Sequence, residues 1–155
     1  MIRGIHHVAI STPDLDRLLG FYRDLLGFRE VMNVAWPEGS GDIDEILGLE
    51  NSSARQVMLR ADNLCLELFE FTQPEPKPMQ AGRLVCDHGH THICFDVTDI
   101  DSVYKRMIEA GIHFHCPPKD FGDIKATYGR DPDGNVFELQ ELLRSDDPAQ
   151  VIPAG

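Results

Sequence analysis

Apolar and polar residues alternate in four short runs of the chain, and two of these runs resemble the other two. Residues 7–16 and 92–101 each combine a short apolar strand with an acidic turn. Residues 64–70 and 135–141 each form a strand pattern after turn-like sequence, and 131–135 carries the Asp-Gly signal of a tight hairpin. Repetition in this order indicates a duplicated structural unit.

In both halves the first strand precedes a helical pattern that ends at a glycine. The spacing predicts a helix over 15–26 before Gly27 and a second over 100–110 before Gly111, because glycine is favoured just after a helix C-terminus. Several strands follow in each half. The sequence therefore predicts an α+β fold of two tandem βαβββ modules.

Turn-forming and proline-rich segments suggest where the modules end. We expect the first module at 1–72 and the second at 91–143, with a proline-rich linker over 73–90 and a flexible tail over 144–155. Residues 32–55 have no counterpart of equal length in the second half. This insertion is interpreted either as a lid over a site or as a plain surface excursion.

The two faces of the predicted strands differ in composition. Side chains alternate between faces along a strand, and one parity here is almost entirely apolar, as expected for residues that helices cover. The other parity is mixed, which suits a curved mixed sheet around a cavity with a few polar groups pointing inward. The inward set contains one His and one Glu from each half: His7, Glu67, His92 and Glu138.

These four residues are candidate metal ligands. Taken singly, a strand Glu usually faces solvent and a strand His is usually half-buried without a ligand role. Recurrence of both types at matching places in a repeat favours a shared function, and a metal would compensate carboxylates placed in apolar strands. Two imidazoles and two carboxylates suit one divalent ion of Zn, Ni, Co, Mn or Fe. We therefore predict one metal bound by His7, Glu67, His92 and Glu138.

Other polar residues near the same strands are expected to lie outside the metal site. Glu70 and Glu141 have the opposite parity and serve as internal controls. The remaining histidines lie before strands, on the opposite parity, or on a strand without a first-half counterpart: His6, His88, His90, His113 and His115.

Charge and composition narrow the partner classes. The formal net charge of −12 disfavours nucleic acid and anionic membrane surfaces, and leaves a small-molecule substrate as the expected partner. The first residues lack a signal-peptide pattern, and no segment approaches the roughly 18 apolar residues of a membrane span. A cytoplasmic location is expected, with the four cysteines reduced and no disulfide framework.

At these positions the chain resembles the vicinal-oxygen-chelate superfamily, which includes glyoxalase I, methylmalonyl-CoA epimerase, extradiol dioxygenases and the fosfomycin and bleomycin resistance proteins. The resemblance spans residues 4–142 and is carried by HHVAISTPDLDRLLGFYRDLLGF, LCLELFEF, HTHICFDVTDID and YGRDPDGNVFELQE. It implies two βαβββ modules around one metal, with the ligand positions falling on the same four residues.

The complete ligand set favours one branch of the family. Extradiol dioxygenases use two His and one carboxylate, bleomycin-type binders have no catalytic metal, and epimerases often have Gln at the position of Glu67. The resemblance thus implies a glyoxalase I-like lyase or isomerase that moves a proton beside a carbonyl through a metal-stabilised enediolate. Glu138 is the proposed general base and Glu67 its partner, although the two roles could be exchanged.

Several features stay open at this stage. The substrate could be a glutathione adduct or an acyl-CoA, and the alternatives are a methylmalonyl-CoA epimerase-like enzyme, an extradiol-type dioxygenase and a non-catalytic antibiotic-binding protein. The site could form within one chain or across a homodimer. An anionic substrate would need basic groups, and the candidates are Arg23, Arg55, Arg60, Lys119, Lys125 and Arg130.

Overall fold

The computed structural model describes residues 1–151, and the chain divides into two compact units between Met79 and Gln80. Each unit contains one mixed sheet and at least one helix, which confirms the predicted α+β class. The end of the predicted tail, 152–155, lies outside the described residues. Within 1–151, every helix is too short or too polar to cross a membrane.

Within residues 1–79, the first unit has four strands and two helices, the first of which continues as a π-helical segment. They are β1 (His7–Ser11), α1 (Leu15–Leu19), β2 (Arg29–Trp36), α2 (Gly41–Leu47), β3 (Ser53–Arg60) and β4 (Cys65–Gln73). The strand order is β1-β4-β3-β2, with β1 parallel to β4 and the other neighbours antiparallel. The first and last strands of the module therefore lie side by side.

The second unit repeats this topology. Its elements are β5 (Ile93–Asp96), α3 (Ile100–Glu109), β6 (His113–Phe114), β7 (Lys119–Asp120), β8 (Ile124–Arg130) and β9 (Val136–Leu142). The order is β5-β9-β8-β6, β7 also pairs with β8, and β5 is parallel to β9. The outer strand is divided into β6 and β7, and Pro117 and Pro118 lie in the gap, where prolines cannot donate to the strand ladder.

Capping residues explain the helix boundaries. Asp14 accepts a hydrogen bond from the Arg17 amide at the start of α1, and Asp99 accepts one from the Ser102 amide at the start of α3. Gly27 and Gly111 adopt φ values of +82° and +84° after the helical segments, as the sequence predicted. The first helix differs from a regular α-helix because it continues from α1 as a π-helical segment, Gly20–Leu25.

The apolar parity of the strands forms the core of each unit. In the first unit Leu66 and Leu68 of β4 are buried together with the helix residues Leu15, Leu18 and Leu19. In the second unit the buried group consists of Ile100, Met107, Phe114, Phe137 and Leu139. The helices cover the apolar face of each sheet. Strand residues of the opposite parity therefore point away from the helices and can line a functional site.

The predicted insertion 32–55 is shorter in the structure, because its two ends belong to β2 and β3. The intervening residues 37–52 contain α2, which has no buried residue. Two hydrogen bonds fasten this segment: the Ser52 amide donates to Asp44 Oδ1 at 2.8 Å, and Trp36 Nε1 donates to Ser52 Oγ at 3.0 Å. Periodicity alone did not reveal that 32–36 and 53–55 belong to strands.

Candidate metal centre

The first module brings His7 and Glu67 together. In the parallel β1–β4 pair His7 lies opposite Cys65 and Ala9 lies opposite Glu67, so the two side chains share a face of the sheet. His7 Nε2 is 3.5 Å from Glu67 Oε2. The glutamate is buried, with a relative exposure of 8%, whereas the His7 side chain is 42% exposed.

The second carboxylate oxygen of Glu67 is held by an amide. Gln56 lies on β3, diagonal to Glu67 across the β3–β4 ladder, where the direct pairs are Met58–Glu67 and Gln56–Phe69. Its Nε2 donates a hydrogen bond to Glu67 Oε1. One oxygen thus faces the imidazole and the other is fixed by a neutral donor.

The second module brings His92 and Glu138 together in the same way. Cys94 lies opposite Glu138 in the parallel β5–β9 pair, and His92 precedes Cys94 by two residues on the same parity. His92 Nε2 is 3.1 Å from Glu138 Oε2, and their side chains are 26% and 12% exposed. The Thr91 hydroxyl and His92 Nδ1 are 2.9 Å apart, so both ring nitrogens have a partner.

Aromatic residues surround the second pair. Tyr128 is the direct β8 partner of Glu138, and its ring packs edge-on against His92 at a centroid distance of 5.0 Å. His115 stacks on the Tyr128 ring at a centroid distance of 6.4 Å. Burial raises the pKa of the Tyr128 phenol, as do the negative charge of Glu138 and a hydrogen bond to it. Tyr128 therefore stays a neutral donor toward Glu138 at neutral pH.

The two pairs follow one geometric rule. In each module the parallel first and last strands bring the histidine and the glutamate to one face, with His7 inside β1 and His92 directly before β5. Within residues 1–151, no group of three or more His, Cys, Asp or Glu side chains is close enough to hold a metal ion. The structure thus presents the four predicted ligands as two His–Glu pairs, and their union around one ion stays a prediction.

The chemistry of each pair fits a divalent metal. An imidazole nitrogen and a carboxylate oxygen lie within 3.5 Å of each other in both modules. Among the described residues, neither Glu67 nor Glu138 forms an ion pair with a lysine or arginine, although both are largely buried. Burial of a carboxylate without a cationic partner is unfavourable, and a bound metal would supply the missing positive charge.

An aromatic cluster lies on the Glu67 face of the first sheet and was missed as a group by the sequence analysis. Phe69 and Phe71 stack at 5.3 Å, and Trp36 packs edge-on against both at 6.1 Å. Phe69 and Phe71 share the parity of Glu67, which is a visible signal, but Trp36 was assigned to the insertion. We call these three residues the aromatic cluster.

Most of the predicted basic groups already have partners. Arg23 pairs with Asp24 and Glu30, and Lys125 pairs with Asp101. Arg55 bridges Asp16 and Glu70, whereas Arg130 donates to backbone carbonyls. The acid partners raise the pKa of Arg23, Arg55 and Lys125, so all three side chains stay charged at neutral pH.

The two control glutamates contact helices instead of histidines. Glu70 Oε1 accepts from the Leu15 amide at 3.2 Å, at the start of α1. Glu141 accepts from the Asp99 amide at 2.8 Å and the Ile100 amide at 3.1 Å, at the start of α3. Their parity placed them outside the predicted metal site, and in the structure each accepts from at least one free amide of a helix N-terminus, from the neighbouring strand.

This capping leads to a stability prediction for Glu141. Replacement by Ala removes the acceptor of two helix amides and is expected to lower the free energy of unfolding by about 1 kcal/mol, as for loss of an N-cap. Glu141→Gln should cost less, because its amide oxygen still accepts. Urea unfolding of metal-free protein measures both, and an unchanged midpoint for the alanine variant would contradict the capping role.

Comparisons with known proteins agree with this architecture. A family model described as the Glyoxalase/Bleomycin resistance protein/Dioxygenase superfamily matches residues 4–139. The 2-epi-5-epi-valiolone epimerase of an Actinomyces species is 30% identical over 152 residues, covering 90% of this chain and 79% of that protein. The lactoylglutathione lyase of Schizosaccharomyces pombe is 24% identical, covering 87% of this chain and 46% of that protein.

A solved structure with low sequence identity to this chain has the same fold. A glyoxalase family protein from Bacillus cereus superposes with a TM-score of 0.84 at 20% identity, covering 93% of this chain and 97% of that one. At this identity the likeness is one of fold. The predicted superfamily resemblance is confirmed by these matches.

Proposed function

The chain belongs to the Glyoxalase/Bleomycin resistance protein/Dioxygenase superfamily, and from this premise we propose that it is a metal-dependent, glyoxalase I-like lyase or isomerase. Its reaction moves a proton on the carbon beside a carbonyl group. The observation that carries the proposal is the repeated His–Glu pair, which each module presents at its parallel first and last strands.

One divalent ion held by His7, Glu67, His92 and Glu138 would complete the site. Such an ion would act as a Lewis acid and stabilise the negative charge that develops on the substrate oxygens. Two imidazoles and two carboxylates suit Zn, Ni, Co, Mn or Fe. The donor set does not choose among these metals.

Within this site Glu138 is the proposed general base and Glu67 the more rigid partner. Gln56 holds one oxygen of Glu67, which restrains that carboxylate. Glu138 contacts His92 and accepts a hydrogen bond from the hydroxyl of Tyr128. A hydroxyl can donate or accept, so this contact can persist when the carboxylate takes up a proton. In this assignment Glu138 removes the carbon-bound proton and returns it to the product.

The substrate is proposed to be a small molecule whose two oxygens flank an acidic C–H. The aromatic cluster offers an apolar surface on the Glu67 face for its uncharged part. Arg23 and Arg55 of the first unit are paired with acids, so an anionic adduct that used them would have to compete with these ion pairs.

An epimerase is the second candidate. The 30% identical relative is named an epimerase, and inversion of a carbon beside a carbonyl begins with the same proton removal. An epimerase returns the proton to the same carbon from the opposite side. A lyase or isomerase of the glyoxalase type instead returns it to the neighbouring carbon.

Metal loading and isotope exchange test the proposal together. Metal-free protein exposed to Zn, Ni, Co or Mn is expected to retain about one ion per chain and to melt at a higher temperature, because the ion binds only the folded state. In heavy water, thiohemiacetals or 2-methyl acyl-CoA esters should gain deuterium beside the carbonyl.

A matched pair of histidine variants controls for unspecific binding. His92→Ala should lose the ion, whereas His113→Ala should keep it, because His113 contacts His115 and lies outside both His–Glu pairs. If the wild-type protein retains no metal, the proposed metalloenzyme is excluded and a non-catalytic binding protein is favoured. Oxygen uptake with a catechol, without isotope exchange, would favour a dioxygenase.

A further inference from the structure

The segment that precedes β5 is organised around one arginine side chain. Arg83 Nη1 donates to the His90 carbonyl at 2.7 Å, and Nη2 donates to the carbonyls of His88 at 3.1 Å and Asp87 at 3.3 Å. We call residues 83–90 the Arg83 loop. A planar guanidinium with five N–H donors can satisfy three carbonyls at once, which an ammonium group on a flexible stem does poorly.

A glycine allows the loop to close this tightly. Gly89 has φ of +116°, a conformation that other residues rarely adopt, and a Cβ at this position would lie 3.2 Å from Arg83 Nη2. The loop backbone and the guanidinium therefore meet at a position that a larger residue would disturb.

A second arginine fastens the loop to the sheet. Arg130, the last residue of β8, donates from Nη2 to the Arg83 carbonyl at 2.8 Å and from Nη1 to the Gly134 carbonyl at 2.8 Å. Gly134 belongs to the hairpin that leads into β9, and Arg130 follows Tyr128 by two residues. The Arg83 loop is thus tied to the two strands that carry Tyr128 and Glu138.

The loop ends two residues before His92. After the His90 carbonyl is fixed by Arg83, the Thr91 hydroxyl meets His92 Nδ1 at 2.9 Å, and His92 Nε2 faces Glu138 at 3.1 Å. His92 lies outside the regular strand, since β5 begins at Ile93. The ladder hydrogen bonds of β5 therefore leave the orientation of His92 to the preceding segment.

We propose that Arg83 and Arg130 are positioning residues, which hold the His92 imidazole against Glu138 before any metal binds. The inference rests on the proposed function, in which His92 is a ligand. Preorganisation of this kind favours binding, because less conformational freedom is lost when the ion arrives. It also explains how a histidine at the end of a long irregular segment keeps a fixed place beside its glutamate.

Nuclear magnetic resonance of metal-free protein tests positioning without reference to activity. In Arg83→Ala, the imidazole signals of His92 are expected to broaden or move toward those of a solvent-exposed histidine, whereas the signals of His7 stay in place. Gly89→Ala should give the same change, because its added Cβ would press on Arg83 Nη2 from the loop backbone. Arg144→Ala is the matched control, because Arg144 pairs with Asp123 and Asp146.

Titration with Co(II), monitored by the visible absorption of the bound ion, measures how the variants change metal affinity. Arg83→Ala is expected to bind Co(II) at least ten-fold more weakly than wild type, Arg83→Lys to recover little, and added guanidinium ion at a non-denaturing concentration to recover part of the affinity. Rescue by guanidinium ion, but not by the ammonium group of lysine, would show that the planar set of donors to the three carbonyls carries the effect. Arg144→Ala should bind as wild type does.

The outcomes separate this inference from the proposed function. Unchanged His92 signals in folded Arg83→Ala and Arg83→Lys would overturn the positioning role, whatever the metal does. Wild-type protein that binds no Co(II) would overturn the proposed function, while the His92 signals of the Arg83 variants and of Arg130→Ala would still decide whether the two arginines position the ring. If Arg83→Ala fails to fold, Gly89→Ala and Arg83→Lys carry the test.

Discussion

Replacing Glu138 with Gln is expected to lower the rate of carbon-proton exchange by about 10²- to 10⁴-fold, the range for loss of a general acid–base group. Glutamine keeps the size of the side chain and its place opposite Tyr128, but it is not a base at neutral pH and carries no charge for a metal. The variant should therefore also bind the ion more weakly. Isotope exchange at saturating metal separates the two effects.

Glu141→Gln is the matched control for this experiment. Both glutamates lie on β9, but Glu141 contacts the first amides of α3 whereas Glu138 contacts His92. Its exchange rate and metal content should stay near those of wild type. Loss of the metal in Glu141→Gln, with retention in Glu138→Gln, would mean that the strand register is shifted by an odd number of residues.

The variant Glu67→Gln distinguishes the role of Glu67 from that of Glu138. Because Gln56 already donates to one oxygen of Glu67, an amide at this position either presents its oxygen to Gln56 or places two NH₂ groups together. We expect weaker metal binding and a loss of rate equal to or smaller than that of Glu138→Gln. A larger loss of exchange at saturating metal would exchange the proposed roles of the two glutamates.

The repeat made much of the architecture predictable from the sequence. Gly27 and Gly111 mark helix ends because a left-handed residue is needed there, and alternation placed Glu67 and Glu138 on the face opposite the buried leucines and phenylalanines. Local chemistry determines such features. They can therefore be read within a window of a few residues.

Tertiary contacts account for what could not be predicted. Nothing in the spacing of Glu70 and Glu141 indicates that they cap helices about 40 to 55 residues away in sequence. The carbonyl contacts of Arg83 are equally invisible, since any surface arginine has the same sequence signal. Tyr128 was within reach, because the hairpin at 131–135 sets the β8–β9 register that pairs it with Glu138.

The strand that carries Tyr128 has a glycine whose replacement should be strongly destabilising. Gly129 on β8 lies opposite Phe137 on β9 and Phe114 on β6. A Cβ at Gly129 would lie 2.5 Å from Cζ of Phe137, well inside van der Waals contact. The Phe137 ring is 1% exposed and packs against Phe114 at 5.4 Å, so it has little room to move away.

Gly129→Ala is therefore expected to lower the free energy of unfolding by about 1–3 kcal/mol, as for overpacking of a core. Gly20→Ala is the control: Gly20 has helical φ, and its added Cβ would meet nothing within 4 Å, so the change should be neutral or slightly stabilising. Urea unfolding of metal-free protein measures both variants.

A double-mutant cycle identifies the cause of the loss. Phe137→Leu alone removes part of a buried ring and should destabilise the protein, but in the Gly129→Ala background it also makes room for the new methyl group. The double variant should therefore be more stable than the sum of the two single losses predicts, by about 0.5–3 kcal/mol, the range for residues in contact. Strict additivity would show that the Phe137 ring does not lie over Gly129, and the β8–β9 register that pairs Tyr128 with Glu138 would lose its support.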